Sequence, residues 1–362
     1  MALASASRAE DPAAWLAGPD ATGDWGGERT KLDEHGVHFD VTYTSEVFTR
    51  DFEAVKYRGD ADLMLTVDTA KAGMWKGGTL FGYAQDDRGD GVSPHLGLVM
   101  PVSNYEAPAF TQLSELWIYQ QLPAGFALRL GKQDANRDFA SPRFGGNFLN
   151  SSFGVLPTAP MPSFPAPALG ASLFAQPASW LSLRGGVYDG SSRSESFAGS
   201  AFNHGGGVFA IGAARLEQGL DGPRDIVWQV GGWHLSGDNR SGGFAVGDLF
   251  VHMPVTDAHP DPRTFQFFVR TNFEPDAKSG PDGKVAKVYV GGGATAHGFF
   301  GKNNTVGLGS GYVSVEGADE TFLELFFKWR PLAWFTIEPD AQLYFDGNDT
   351  HVVIGLRTKL KL

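Results

Sequence analysis

The chain has 362 residues, enough for two ordinary domains or for one large all-β domain. It contains no cysteine, which excludes a disulfide framework and any metal site built on thiolates. Its formal net charge of −12 argues against nucleic acid as a partner, because binding nucleic acid requires a basic surface.

The N-terminal segment, 1–36, contains two recognisable features. Ala4, Ser5 and Ala6 resemble the small residues that end an export signal, although no hydrophobic stretch precedes them. Residues 28–35 show the only convincing helical periodicity of the chain, and Gly36 follows as a C-terminal cap. We therefore predict one short helix before the first strand.

The remainder, 37–362, repeatedly alternates between apolar and polar residues, which is the period of a β-strand. About sixteen such segments occur, and most approach the ~9–11 residues of a tilted strand that crosses a bilayer. They lie at 37–49, 60–69, 78–86, 113–122, 126–134, 169–176, 180–189, 206–217, 225–237, 242–252, 264–274, 285–296, 304–315, 320–330, 333–345 and 351–362. No run approaches the ~18 apolar residues that a spanning helix needs.

The stretch from Thr321 to Asp346 shows what these strands face. Leu323 and Phe327 share one side of a strand, whereas Glu324 and Lys328 share the other. A ring of sixteen strands encloses a space too wide for side chains to fill, so the polar side must face water inside and the apolar side must face lipid. A soluble propeller would require a repeat of ~40–50 residues, and none is visible. The predicted fold is an all-β transmembrane antiparallel barrel.

The links between the predicted strands alternate in length, although imperfectly. Tight links include those at 123–125 and 331–332, where Trp329 and Trp334 flank the turn as in an interfacial aromatic girdle. The long links lie at about 87–112, 135–168 and 190–205. Short turns on one rim and long loops on the other are typical of outer-membrane barrels.

Two stretches carry a resemblance to a known family. In GDWGGERTKLDEHGVHFDVTYTSEVF, which begins at Gly23, the matching residues are Asp24, Trp25, Gly26, Gly27, Arg29, Leu32 and Gly36. In LGKQDANRDFASPRFGGNFLNSSFG, which begins at Leu130, they are Gly131, Lys132, Asp134, Asn136, Phe148, Asn150, Ser151, Ser152, Phe153 and Gly154. Both stretches are similar to the carbohydrate-selective porins of Gram-negative outer membranes, the OprB family.

The resemblance implies an outer-membrane channel for passive uptake of glucose-like sugars, with loops folded into the bore. We expect the short helix to lie at or in the periplasmic mouth. It implies neither catalysis nor a cofactor, and it makes outer-membrane lipid and the barrel-assembly machinery the expected partners besides the sugar. Such barrels usually end in Phe, whereas this chain ends in Leu362, which bears on recognition during assembly. Two questions stay open: whether the channels form homo-oligomers, and whether the helix affects flow or only caps the barrel.

The 135–168 loop is the first candidate for a constriction, together with the loop at about 87–112. It is longer than an ordinary structureless link, and it is stiffened by Pro157, Pro160, Pro162, Pro165 and Pro167. Polar side chains on it offer donors and acceptors to sugar hydroxyls, namely Arg137, Asp138, Arg143, Asn147 and Asn150. The alternative is that several of them fasten the loop to the wall.

Strand parity supplies the rest of the predicted lining. If Leu116 and Leu130 face lipid, the alternate residues of the same strands face the bore. These are Glu115, Trp117, Tyr119 and Gln121 on the first strand, and Arg129 and Gln133 on the second. Trp117 is expected to stack on a pyranose face or, alternatively, to pack against the inserted loop. Asp86, Asp87 and Arg88 end the third strand and are expected to lie near the same constriction.

Two other functions remain open at this stage. Both signs of charge lie along the predicted bore, which favours a neutral solute over a strongly selected ion. A less selective ion or small-solute porin is the main alternative, because the sequence does not give the charge balance at the narrowest point. An outer-membrane barrel enzyme would require a constellation such as Ser/His/Asn or Asp/His, and none stands out.

Overall fold

A computed structural model describes residues 15–16, 18–190, 206–219, 223–257, 259–275, 286–316, 319–347 and 349–362. Two short α-helices lie wholly within these ranges, α1 (Glu28–Glu34) and α2 (Ser93–Leu96). The strands are β1 (Val37–Arg50), β2 (Ala54–Asp68), β3 (Gly78–Gly89), β4 (Phe110–Gln121), β5 (Phe126–Gln133), β6 (Ala168–Ala178), β7 (Leu181–Asp189), β8 (Val208–Gln218), β9 (Arg224–Leu235), β10 (Arg240–Met253), β11 (Arg263–Phe273), β12 (Ala286–His297), β13 (Thr305–Val315), β14 (Glu320–Leu332), β15 (Phe335–Asp346) and β16 (Asp349–Lys361). No helix within the described ranges is long and apolar enough to cross a membrane.

The sixteen strands form one closed antiparallel barrel. Each strand pairs with its neighbours in the sequence, and β16 returns to pair with β1 from Thr42↔Lys361 to Arg50↔Val353. Closure leaves no free sheet edge, so the strands satisfy one another's backbone hydrogen bonds, as a bilayer requires. The prediction of an all-β barrel of about sixteen strands is confirmed.

The largest boundary difference concerns β2, which begins at Ala54 rather than at 60. A three-residue turn joins β1 to β2, so the two strands pair as far as Arg50↔Ala54. Asp51 and Phe52 in this turn have φ of 47° and 61°. A left-handed backbone is uncommon for residues other than glycine. Because no glycine lies in this turn, the sequence contains no signal for it.

The outer face of the barrel carries the apolar side of the alternation, as predicted. On β14, Leu323 and Leu325 are 39% and 51% exposed. The inner face differs from the prediction, because Phe322, Phe326 and Tyr344 point inward and are fully buried. These inward aromatic residues are covered by loops and do not face water.

The long loops 90–109 and 134–167 leave the same rim of the barrel, which we call the loop rim. The opposite rim carries α1 and the tight links at 122–125, 179–180 and 333–334. The long link predicted at 190–205 is largely outside the described residues. The export-signal residues Ala4, Ser5 and Ala6 are outside them as well.

The segment before β1 holds the end of the last strand. Arg29 on α1 donates to the carbonyl oxygen of Leu362 at 3.0 Å and forms a buried ion pair with Asp20. The ring of Trp25 lies 4.3 Å from the guanidinium carbon of Arg29. Lys361 on β16 also reaches Asp20, at 3.1 Å. The family-like motif around Trp25 therefore fastens β16 where the barrel closes.

Replacing Arg29 tests this fastening. We expect Arg29→Ala to lower the stability of the closed barrel by about 2 kcal/mol, because charged hydrogen bonds to buried partners are lost while Lys361 still neutralises Asp20. The measurement is the temperature at which the folded band disappears on unboiled detergent gels. Lys31→Ala is the control, since Lys31 pairs with Glu28 in an exposed position on the same helix. An equal shift for both variants would contradict the assignment.

Candidate functional site in the barrel lumen

Both long loops fold into the lumen and pack on the inward aromatic residues. The ring of Phe148 lies 4.9 Å from that of Phe326, and the ring of Phe153 lies 5.1 Å from that of Phe322. Met100 of loop 90–109 belongs to the same buried cluster. The apolar residues on the inner face of β14 are thus a platform for the loops.

Two carboxylates on the inner face of β14 hold the loop backbones. Glu320 accepts the N–H groups of Val99 and Met100, each at 2.8 Å. Glu324 accepts those of Leu149 and Asn150, at 2.6 and 3.1 Å. Each carboxylate therefore satisfies two successive backbone donors, which orients the loop as well as attaching it.

The side chain of Asn150 completes the attachment of loop 134–167. Its amide nitrogen donates to the hydroxyl of Tyr344 at 2.6 Å, and its amide oxygen accepts the backbone N–H of Ser152 at 2.9 Å. Asn150 is 1% exposed. The Asn-Ser-Ser-Phe-Gly motif therefore has a structural role here, and Asn150 lies away from open space.

A charged group two strands away from β14 also fastens loop 90–109. Arg357 on β16 donates to Glu46 on β1 at 2.6 Å and to the side-chain oxygen of Asn104 at 2.6 Å. The hydroxyl of Ser103 donates to the same glutamate at 2.8 and 2.9 Å. This loop is consequently held at both β14 and the β1–β16 seam.

Trp117 faces inward as predicted, but it packs within the wall. Its ring stacks on Phe81 at 4.7 Å, and its indole N–H donates to Glu115 at 3.0 Å. Glu115 also pairs with Arg137 and accepts the backbone N–H of Asp134 at 3.1 Å. This arrangement corresponds to the alternative in which Trp117 packs beside the inserted loop.

Gly131 explains why the second motif contains glycine at the end of β5. Its φ is 134°, a conformation that side chains rarely adopt, and a Cβ here would collide with the carbonyl oxygen of Leu116. The close approach keeps β5 against the part of β4 that carries Trp117.

Tyr119, Arg129 and Asp138 meet at a cavity of about 530 Å³ inside the barrel, towards the rim opposite the loops. Arg129 forms an ion pair with Asp138 of loop 134–167. Its guanidinium also lies 5.2 Å from the ring of Trp117. Three of the predicted lining residues are therefore brought together around open space.

Two further loop residues lie elsewhere. The guanidinium of Arg143 sits over Phe144 and Phe250, at 5.7 and 5.8 Å. The backbone carbonyl oxygen of Asn147 accepts a hydrogen bond from the Lys328 ammonium at 3.2 Å. Both residues contact the wall on the β10–β14 side, away from the cavity.

The third strand requires a correction. Asp87 is buried on the inner face, where it pairs with Arg58. Asp86 and Arg88 have the opposite parity and form an exposed ion pair at 2.7 Å on the outer face, together with Thr111. Treating three successive residues as one lining set was wrong, because adjacent side chains of a strand point to opposite faces.

Sequence reasoning missed other residues that line the cavity. They are Phe174, Ser182, Arg184 and Glu217, on β6, β7 and β8. The alternation of Leu181 and Leu183 with Ser182 and Arg184 could have indicated that the latter two face the lumen. The missing information was which part of the lumen the loops leave open, and this depends on long-range packing.

Burial governs the acidity of the loop carboxyl at the end of β5. The pKa of Asp134 is raised to about 6, mainly by burial and to a smaller extent by the nearby Glu115 charge.

Within the described ranges, no three His, Asp or Glu side chains gather in a way that could hold a metal ion.

The two β14 carboxylates allow a reciprocal test of loop attachment. In Glu324→Ala we expect faster hydrogen exchange of peptides that cover 148–153, by about tenfold or more, because two buried N–H groups lose charged acceptors. In Glu320→Ala we expect the same effect at 98–101. Each variant serves as the control for the other. Equal acceleration of both loops in both variants would indicate general loosening and would contradict separate attachments.

Comparison with known proteins agrees with the fold. The sequence profile described as carbohydrate-selective porin, OprB family, matches residues 53–251, more than half of the chain. The high-pH structure of Pseudomonas putida OprB superposes with a TM-score of 0.78 at 16% identity, covering 94% of this chain and 98% of that one. The low-pH structure of the same protein gives 0.66 at 16% identity, with coverages of 95% and 99%. The anion-selective porin from Comamonas acidovorans gives 0.55 at 10% identity, with coverages of 90% and 99%.

No protein with a curated description matches the chain in sequence. At 16% identity or less, the structural likenesses establish the architecture alone, while the sequence profile establishes the family. The chain therefore belongs to the carbohydrate-selective porin, OprB family, whose members are channels of the Gram-negative outer membrane and not enzymes.

Proposed function

We propose that this porin lets a monosaccharide such as glucose diffuse passively through a water-filled lumen narrowed by loops 90–109 and 134–167. The observation that carries the proposal is the cavity of about 530 Å³, where aromatic rings lie beside side chains of both charge signs. Residues 37–362 would form the channel and residues 1–36 an accessory segment at its mouth. Outer-membrane lipid would cover the apolar outer face, and the barrel-assembly machinery would insert the chain.

The cavity has the groups that recognise a sugar. The rings of Tyr119 and Phe174 lie 6.0 Å apart at 55°, so two aromatic surfaces border the same space. Aromatic faces pack on the apolar C–H surface of a pyranose. Arg129 can donate to sugar hydroxyls, and Asp138 can accept from them.

The attachments of the loops support the proposed narrowing. Loop 134–167 is anchored at its start through Asp134 and at its middle through the Glu324–Asn150 contacts. Asp138, in the same loop, borders the cavity. A loop fixed in this way would set the width of the passage without closing it. Arg137, whose side chain is 42% exposed, would meet solutes near this point.

Sugar permeation tests the proposal directly. Liposomes that contain the purified protein should swell in glucose faster than empty liposomes, and they should swell more slowly in larger oligosaccharides. Single channels in planar bilayers should show current block when glucose is added. Strong ion preference in a salt gradient without any sugar block would instead favour the less selective porin.

Tyr119 provides the test of the cavity itself. We expect Tyr119→Ala to raise the glucose concentration for half-block by about 3- to 10-fold, because an aromatic contact of the sugar is lost. Tyr43→Ala is the matched control, since Tyr43 lies on the outer face, where its hydroxyl contacts that of Tyr57 at 2.7 Å. Unchanged block in the Tyr119 variant would place the sugar path elsewhere.

A further inference from the structure

The charges around the lumen cavity are not balanced. Arg129 is paired with Asp138, and Arg215 is paired with Glu217 at 2.6 Å. Each of the two carboxylates is thus engaged by its own arginine. Arg184 lies among these four groups and lines the cavity.

Arg184 lacks a carboxylate of its own. Its one hydrogen bond within the described part of the chain goes to the backbone carbonyl oxygen of Asp138, at 2.9 Å. No carboxylate of the described residues lies within ion-pair distance of Arg184. The side chain is only partly buried, so its remaining donors can meet a solute. One positive charge is consequently left unmatched at the wall of the proposed sugar path.

A second group beside Arg184 also lacks a partner. Ser182 lies two residues earlier on β7, faces inward like Arg184, and lines the same cavity. Its hydroxyl oxygen is buried and has no hydrogen-bond partner among the described residues. Two donors with unused capacity, on the same inward face of β7 and at the same cavity, would be satisfied by an anionic oxygen.

We propose that the cavity prefers a monosaccharide that bears a carboxylate, such as a hexuronate, with the carboxylate on Arg184 and Ser182 and the ring beside Tyr119 and Phe174. This rests on the proposed sugar-channel function and specifies the class of its solute. A guanidinium recognises a carboxylate through two parallel hydrogen bonds. One unmatched positive charge suits a monoanion better than a phosphate ester, which carries about −1.5 to −2 at neutral pH.

The experiment compares three solutes in planar bilayers that contain the full-length protein: glucuronate, glucose and glucose 6-phosphate. We expect glucuronate to half-block the channel at about one-tenth of the glucose concentration, because one charged contact is added. Glucose 6-phosphate should block less well than glucuronate. The preference should shrink as KCl is raised from about 0.1 M to about 1 M, because salt screens the charge.

Arg184→Gln should remove the preference, so that glucuronate and glucose half-block the channel at similar concentrations. Ser182→Ala keeps the arginine and should weaken glucuronate block by a smaller factor, so it also serves if the arginine variant does not fold. Arg88→Gln is the matched control, because it removes an arginine from the outer face. Gel migration without boiling confirms that each variant is a closed barrel.

The outcomes separate this inference from the function on which it rests. If glucose blocks the channel but glucuronate blocks no better, the carboxylate site is overturned and the sugar channel stands. If Arg184→Gln weakens the block by both solutes equally, the arginine is a general part of the wall and the carboxylate site is overturned. If neither solute blocks, both proposals fail. If glucose 6-phosphate blocks better than glucuronate, the carboxylate site is overturned in favour of a phosphate site.

Discussion

The structure depends on the requirement that sixteen strands close into a ring, because a bilayer offers no hydrogen-bond partners to a free sheet edge. β1 meets β16 through nine residue pairs, and Arg29 and Lys361 add charged contacts where that seam ends. Closure with so many strands produces a lumen that wall side chains do not fill. Loops 90–109 and 134–167 occupy part of this lumen, where Met100, Phe148 and Phe153 pack on the inner face of the wall.

Insertion of the loops creates a second requirement. A loop in the lumen carries backbone donors that the barrel ladder does not satisfy, and burying them without partners would cost free energy. Glu320 and Glu324 meet this need with two N–H groups each, and the neighbouring Phe322 and Phe326 supply the apolar contact. Glutamate and phenylalanine therefore alternate along the inner face of β14 because this face binds the loops and is not exposed to water.

Sequence reasoning recovered the local part of this design and missed the long-range part. The number of strands, and the inward orientation of Trp117, Tyr119 and Arg129, follow from the alternation of apolar and polar residues along each strand. This alternation can be read from residues that are close in the sequence. The short turn at Asp51 was missed because a left-handed backbone is not visible in the residue types. The roles of Asn150 and Arg184 depend on which part of the wall a loop reaches. Residues distant in the sequence decide this, since Asn150 and Glu324 are 174 positions apart and Arg184 and Asp138 are 46 apart.

The residues that carry the family resemblance are mainly architectural in this chain. Arg29 fastens the last strand, Gly131 permits a close strand approach, and Asn150 and Phe153 seat a loop. The proposed solute contacts at Tyr119, Phe174 and Arg184 lie outside both motifs. Arg29, Asn150 and Phe153 contact the barrel or its loops directly, whereas Arg184 and Ser182 line the cavity and leave part of their bonding capacity unused. Under the proposed function, the solute is therefore selected at inward positions of β4, β6 and β7 that lie outside the two motifs.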